Sequence, residues 1–325
     1  MKAMRSIFYF LILLSTNIFA LDIKLSVLVP GNTNWSLHFK KMSSEIYQKT
    51  NGRVKFKVYY GGVSGGEEDA LRKIRLGSLH GAVLTGKTLG NIFSDIRVVE
   101  IPFSYFDDSN QAWKDLDHLK YYFNQGLDKK GFVSLGYFEV GMIYFATTKK
   151  VTGLNDLKKL KFWLWQGDEL ANQTFKELHI PTVPLEIGHV QSSLSQNLMD
   201  GVYNSLLGFL ALQWHGQIKY LIDVPLTFSM GALVIDKKKW GEVSPQDQAI
   251  ISKITDSYFE IMNQSIHRDN EKALAVLKDL NVEIIKFSDE DKNALKSIRK
   301  SLIKNYAGKN ISERVFELQN QSTKL

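Results

Sequence analysis

Cysteine is absent from the 325 residues, and that removes several kinds of protein at once. Disulfide scaffolds, thiolate metal centres, cysteine nucleophiles and lipid attachment through an N-terminal cysteine all require it. Proline is scarce, with six in the chain, and no proline- or serine-rich stretch divides it. Two lobes, if present, are therefore joined without a linker and by more than one crossing. No repeat of solenoid length is visible. Beyond the N-terminus no apolar run is long enough to cross a bilayer. A basic stripe or an interleaved aromatic platform is also missing. The formal charge is +7, but Lys158-Lys159 and Lys237 to Lys239 each lie beside acids, so nucleic acid is not an expected partner.

The N-terminus has three parts: Lys2 and Arg5, the apolar run Ile7 to Leu14, then a polar break at Ser15 to Asn17 before Ile18-Phe19-Ala20. That is the pattern of a cleaved secretory leader over residues 1–20, shorter in its apolar part than the ~20 residues of a membrane span. Export without an anchor points to the periplasm. Loss of Lys2 and Arg5 leaves 39 basic residues against 34 acidic ones. The remaining length exceeds what one hydrophobic core usually fills.

Alternation at Ile23 to Val29 predicts a strand closed by Pro30-Gly31-Asn32. Leu37, Phe39, Met42 and Ile46 predict a helix ending at Asn51-Gly52, and Val54 to Tyr60 a second strand. The glycine-rich loop Gly61–Gly66, a helix over Glu67–Leu76 and a short strand at Ala82–Leu84 complete a strand–helix–strand order, which implies an α/β lobe with mainly parallel strands. Further on, Phe162–Trp165 reads as a strand and Glu169–Leu178 as an amphipathic helix. Val183–Leu185 reads as a second edge, followed by a polar helix closing on Asp200-Gly201. Ser244, Pro245 and Asp247 form a helix start with a capping-box pattern. Ile250, Ile254, Tyr258, Ile261 and Met262 supply an apolar stripe to a helix that runs past Asn270.

Chemistry-bearing patterns are few. Gly62-Val63-Ser64-Gly65-Gly66 fits a nucleophile elbow, but glycine loops before helices are common for backbone reasons alone. A serine esterase would need Ser64 within hydrogen-bond reach of a histidine. The seven histidines are scattered, with no metal-binding pair. No catalytic residue, metal or cofactor is expected.

The segment Gly153 to Ser205, with "NGRVKFKVYYGG" (Asn51–Gly62), "IRLGSLHGA" (Ile74–Ala82), "IPFSYFDD" (Ile101–Asp108) and "MGALVIDKKKWGEVSPQDQAII" (Met230–Ile251), resembles the solute-binding proteins of TRAP transporters, the C4-dicarboxylate-binding DctP family. The resemblance implies a two-lobe α/β periplasmic binding protein fold with crossing strands and a long interlobe helix. It places lobe 1 at residues 21–140 plus 229–268, and lobe 2 at 141–228 plus 269–325. It implies a small-molecule ligand held in the interlobe cleft, hinge closure, and delivery to the membrane permease subunits of a TRAP transporter. A sensory binding protein serving a membrane receptor shares the fold and is the alternative.

In the family two arginines clamp a ligand carboxylate. Ile143 and Trp163 stand at the matching positions, so the chain resembles an atypical, arginine-lacking branch. The expected ligand is then apolar or amphipathic rather than a small dicarboxylate, unless Lys87, Arg97 or Lys161 substitutes. Members of that kind are associated with a helical-repeat periplasmic partner. Trp35, Phe103, Trp163, Trp165, Tyr203 and Trp214 lie in segments that line the family's cleft. Asn204 keeps an asparagine of the family's motif, and Gln166 follows the tryptophan strand. Asp168 reads as the N-cap of the next helix.

Overall fold

The structure, a computed structural model, describes residues 20–106 and 108–322; the expected leader over residues 1–20 lies almost wholly outside them. The chain opens with β1 (Leu21–Ser26), α1 (Asn34–Lys49), β2 (Val54–Tyr59), α2 (Glu67–Arg75), β3 (Gly81–Thr85) and α3 (Gly86–Ile92). A 3-10 segment, Ser94–Glu100, leads to α4 (Asn110–Lys129) and the long strand β4 (Phe132–Thr147). A second set follows: α5 (Leu154–Leu157), β5 (Phe162–Trp165), α6 (Glu169–Glu177), β6 (Thr182–Leu185), α7 (Val190–Ser195), β7 (Gly201–Ser205) and α8 (Leu206–Ala211). The chain returns along β8 (Tyr220–Asp236) into α9 (Lys237–Trp240) and α10 (Pro245–Asp279), and ends with β9 (Glu283–Ile285), α11 (Asp289–Tyr306) and α12 (Glu313–Ser322).

The strands form one sheet in the order β2-β1-β3-β8-β4-β7-β5-β6, with β9 on β8. Pairing is parallel within each half (β1 with β2 and β3, β5 with β6 and β7), as the strand–helix alternation predicts, and antiparallel where β8 meets β3 and β4. β4 and β8 are the crossing strands. Phe132 and Tyr137 of β4 join one core and Leu135 and Phe138 a second, while Phe145 and Ala146 join a third. The first two cores cover opposite faces of the first half of the sheet; the third fills the second half.

Several local expectations shift. β1 ends at Ser26 rather than Val29, although Val27 still donates to Tyr59 O at 2.8 Å. Helix α10 starts as expected: Ser244 accepts from Asp247 N, with Pro245 at the first helical position. The Asp247 carboxylate does not close a capping box. It turns to Arg53 instead, at 2.7 and 2.9 Å, and the full box appears at Ser288/Asp291 of α11. The buried stripe of α10 runs through Ile251, Ile254, Phe259 and Met262, while Ile261 is exposed. The apolar pattern identified the helix but set its inward face about one residue off.

At the crossing β4 slips register between Glu139 and Gly141. Two asparagines of α10 hold it there. Asn263 accepts from Glu139 N (2.9 Å) and donates to Tyr137 O (3.1 Å). Asn270 donates to Val140 O (3.2 Å) and accepts from Leu207 N (3.0 Å). The C-terminal segment divides between the halves. Ala273, Leu277 and Leu295 pack in the second-half core, whereas Tyr306, Ile311 and Val315 pack in the first-half core. There Asp115 accepts from Tyr105, Gln319 and Ser322.

Candidate functional site

The two halves meet where the glycine loop, α3 and the 3-10 segment face the β5–α6 turn. Asp168 has extended backbone and caps α6 through Ala171 N at 3.1 Å. The same carboxylate receives Arg97 from the first half at 2.9 Å. Arg97 also meets Glu100 at 3.2 Å, and both ion pairs are almost wholly out of solvent. Burial opposes the Arg97 charge, but the Asp168 and Glu100 carboxylates outweigh it and hold its pKa above the ordinary value. Its Nε has no partner among the described residues.

Glu100 is pushed up by burial against the pull of Arg97 and of Met230 N–H, which it accepts at 3.1 Å. A methyl group on Gly86 would fall on the Glu100 carboxylate, so glycine is what lets it reach α3. Lys87, buried at the start of α3, sits 5.2 Å over the Trp165 ring and 3.3 Å from Glu68. Glu67, buried beside it, accepts from Thr85 N and Thr85 Oγ1, and desolvation raises its pKa.

Behind this charged layer stands an aromatic wall. Trp163 stacks on Tyr203 at 4.8 Å and meets Trp214 edge-on at 5.3 Å, and its Nε1 donates to Leu185 O. Trp165 lies 6.0 Å from Trp163, on the same face of β5. The Tyr203 hydroxyl accepts from Trp165 N at 3.0 Å. Burial and the nearby Asp168 charge push its pKa well above the ordinary tyrosine range. The Trp165 Nε1 is buried without a partner among the described residues.

The residues singled out from sequence are distributed unevenly. Phe103, Ile143, Trp163, Tyr203 and Trp214 fall in one core, with Trp165 packed against it. Trp35 belongs elsewhere, packed between Phe39 and Phe138 in the first half. Gln166 is exposed and holds Leu185 O only through its backbone. Asn204 accepts from Ser205 N and is wedged against Gly208 at the start of α8. Of the cations considered as substitutes, Lys87 and Arg97 reach the interface, while Lys161 is exposed. The sequence reading missed Glu67 and Glu100. For Glu100 the only signal was its place with Arg97 among Ile96, Val98, Val99 and Ile101, while Glu67, in Glu67-Glu68-Asp69, carried none. Ser64 is buried, and among the described residues no hydrogen bond joins its hydroxyl to a histidine.

The arrangement can bind but offers no nucleophile–base pair. Acids outnumber cations, with Glu67, Glu68, Glu100 and Asp168 against Lys87 and Arg97. Among the described residues no cluster of three metal-ligating side chains forms, and no helix is long and apolar enough to cross a membrane.

The fold is that of known solute-binding proteins. A TRAP periplasmic solute-binding protein from Haemophilus influenzae, with bound L-gulonate, superposes with a TM-score of 0.85 at 22% identity, over 93% of this chain and 99% of that one. One from Sulfurospirillum deleyianum, with bound succinate, gives 0.82 at 20% identity, over 92% and 98%. In sequence, the 2,3-diketo-L-gulonate-binding periplasmic protein YiaO of Escherichia coli is 22% identical over 78% of this chain and 77% of its own length. Residues 25–310 match the bacterial extracellular solute-binding proteins, family 7, and with that span matched the chain belongs to the DctP family.

Proposed function

We propose that this chain is the solute-capturing subunit of a TRAP-type transporter, released by cleavage of residues 1–20 into the periplasm. It holds one organic solute between its lobes and hands it to a membrane permease. The observation that supports this most directly is the Arg97–Asp168 bridge, whose two partners come from opposite halves of the fold. A solute that enters between them can hold both lobes and so favour the closed state by differential affinity.

The solute is amphipathic. Its apolar body lies along Trp165 and the Trp163–Tyr203 wall, and a single acidic or hydroxyl end takes Arg97 and Lys87. A dicarboxylate is disfavoured because Trp163 and Ile143 fill the family's arginine positions and because the remaining cations are already met by acids. Onward transfer to a helical-repeat protein belongs to this reading. The lobe limits are those given above, except that α12, which bonds to Asp115 of α4, is assigned to lobe 1.

A second reading, a sugar acid, is favoured by the acceptors Asp168, Glu100 and Glu68, which suit ligand hydroxyls. Native mass spectrometry of the purified mature protein, followed by calorimetry with an aliphatic monocarboxylate, L-gulonate and succinate, tests both. A lipid-like acid that co-purifies and is lost on Arg97→Ala supports the first reading, and tight L-gulonate binding supports the second. Tight succinate binding overturns the ligand assignment.

A further inference from the structure

Two buried N–H donors at the lobe interface have no acceptor among the described residues: Nε of Arg97 and Nε1 of Trp165. They come from opposite halves of the fold and are tied to the same β5–α6 turn. There Asp168 N donates to Trp165 O at 3.0 Å, and the Asp168 carboxylate receives Arg97 Nη2 at 2.9 Å. Lys87 lies 5.2 Å over the Trp165 ring. The neighbouring tryptophan gives the contrast. Trp163, on the same face of β5, donates its Nε1 to Leu185 O, so the fold does supply an acceptor to one indole of this strand and none to the other.

The acids of the layer are engaged elsewhere. Asp168 accepts from Ala171 N and Arg97, and Glu100 accepts from Met230 N and meets Arg97 Nη1 at 3.2 Å. Glu68 accepts from Lys87 and Asn91, and Glu67 from Thr85. Both open groups can only donate. A buried donor left unpaired is costly, so the missing acceptor is an oxygen of the solute.

The guanidinium indicates what kind of oxygen. Nε and Nη2 share one edge of the fork, and Nη2 already holds Asp168. An oxygen at Nε therefore sits beside that carboxylate, where the Arg97 side chain is only 13% exposed. A second carboxylate there would set like charges against each other with little solvent to screen them. Neither cation has charge to spare, since Arg97 faces two acids and Lys87 one. A hydroxyl meets no such repulsion: it accepts from Nε and has a proton to give to Asp168.

We propose that Arg97 Nε and Trp165 Nε1 are specificity-determining donors that each take an uncharged hydroxyl oxygen of the solute, so that the end held here is a diol or polyol and not an acid. This assignment rests on the solute lying between the lobes, as proposed above, and narrows its polar end to hydroxyls.

Calorimetric titration of the mature protein with a vicinal octanediol, with L-gulonate and with octanoate is the test. At least one of the two hydroxylated probes is expected to bind saturably, and octanoate at least about tenfold more weakly than it. Trp165→Phe keeps an aromatic ring against Lys87 and removes the N–H. It is expected to weaken the hydroxylated probe about three- to tenfold and to leave octanoate unchanged. If Trp165→Phe does not fold, Arg97→Lys, which keeps the charge between Asp168 and Glu100 without the forked edge, is expected to act in the same direction. Octanoate binding as tight as that of the hydroxylated probes, undiminished binding in both variants, or an equal loss for all three probes overturns the assignment. Tight octanoate binding that is lost in Arg97→Ala overturns the hydroxyl assignment alone and leaves the interlobe site standing. Absence of saturable binding of every probe at millimolar concentration removes both.

Discussion

One oxygen of Asp168, Oδ1, accepts both the Ala171 backbone N–H that starts α6 and the Arg97 guanidinium from the other half of the molecule. The residue that shapes the second-half turn is therefore also the residue that ties the halves together. A cap alone is worth about 0.5–2 kcal/mol, and stripping a partner from a buried charge costs more. Asp168→Ala is expected to lose more than about 2 kcal/mol in urea unfolding, while Asp168→Asn, which keeps an acceptor for the cap, loses less. Equal losses would mean that the cap contributes nothing beyond the ion pair, and an Asp168→Asn protein as stable as the parent would mean that the ion pair contributes nothing.

Trp163 is a packed residue as well as a candidate ligand contact. Its truncation to alanine is expected to cost about 3–5 kcal/mol, as for other fully buried aromatic side chains. Trp163→Arg places a guanidinium among Tyr203, Trp214 and Leu185 and should lower the thermal midpoint by several degrees. An unchanged midpoint would show that this position opens onto solvent.

Gly141 has φ +118, and a methyl group there would lie 2.7 Å from Asn270 Nδ2. Gly141→Ala is expected to destabilise the protein by at least about 1 kcal/mol and to weaken solute binding. The size of both effects can be read from one thermal-shift series with and without ligand. An alanine that leaves stability untouched would mean that this φ is not needed.

Asp247 is held below the usual carboxylate range by the hydrogen bonds from Arg53, against burial. Its folded pKa is thus below its unfolded one. The stabilisation it supplies is complete above the unfolded value of about 3.9 and is lost as pH falls through the folded value. Because Arg53 is one-third exposed, solvent screens the pair and keeps its contribution modest. Urea midpoints followed from neutral to acid pH should fall less steeply in Asp247→Asn than in the parent; parallel curves would remove Asp247 from the acid response.

Most of the fold was legible because period and punctuation agree locally. Phe162–Trp165 is strand β5 as read, and Ser244-Pro245 starts α10 as read. Family resemblance, rather than periodicity, indicated that β4 and β8 cross. The candidate site was only partly legible. Trp163, Trp165 and Tyr203 share a face of β5 and β7, and strand parity allows that inference. Proximity to a cleft segment does not fix a rotamer: Trp35 packs with Phe39 and Phe138, and Asn204 meets the start of its own helix. Glu100 was missed because an acid in an apolar run reads as a surface residue until its partner, 130 positions away at Met230, is seen.

The asparagines of α10 have a mechanical consequence. An unsupported strand of 16 residues can flex anywhere along its length, and two bodies joined by it would wobble in several directions. Asn263 and Asn270 tie Tyr137, Glu139 and Val140 of β4 to a stiff rod at the register slip, opposite the pairing with β8. Braced from two directions, the joint between the halves is stiffer than a tether of the same length.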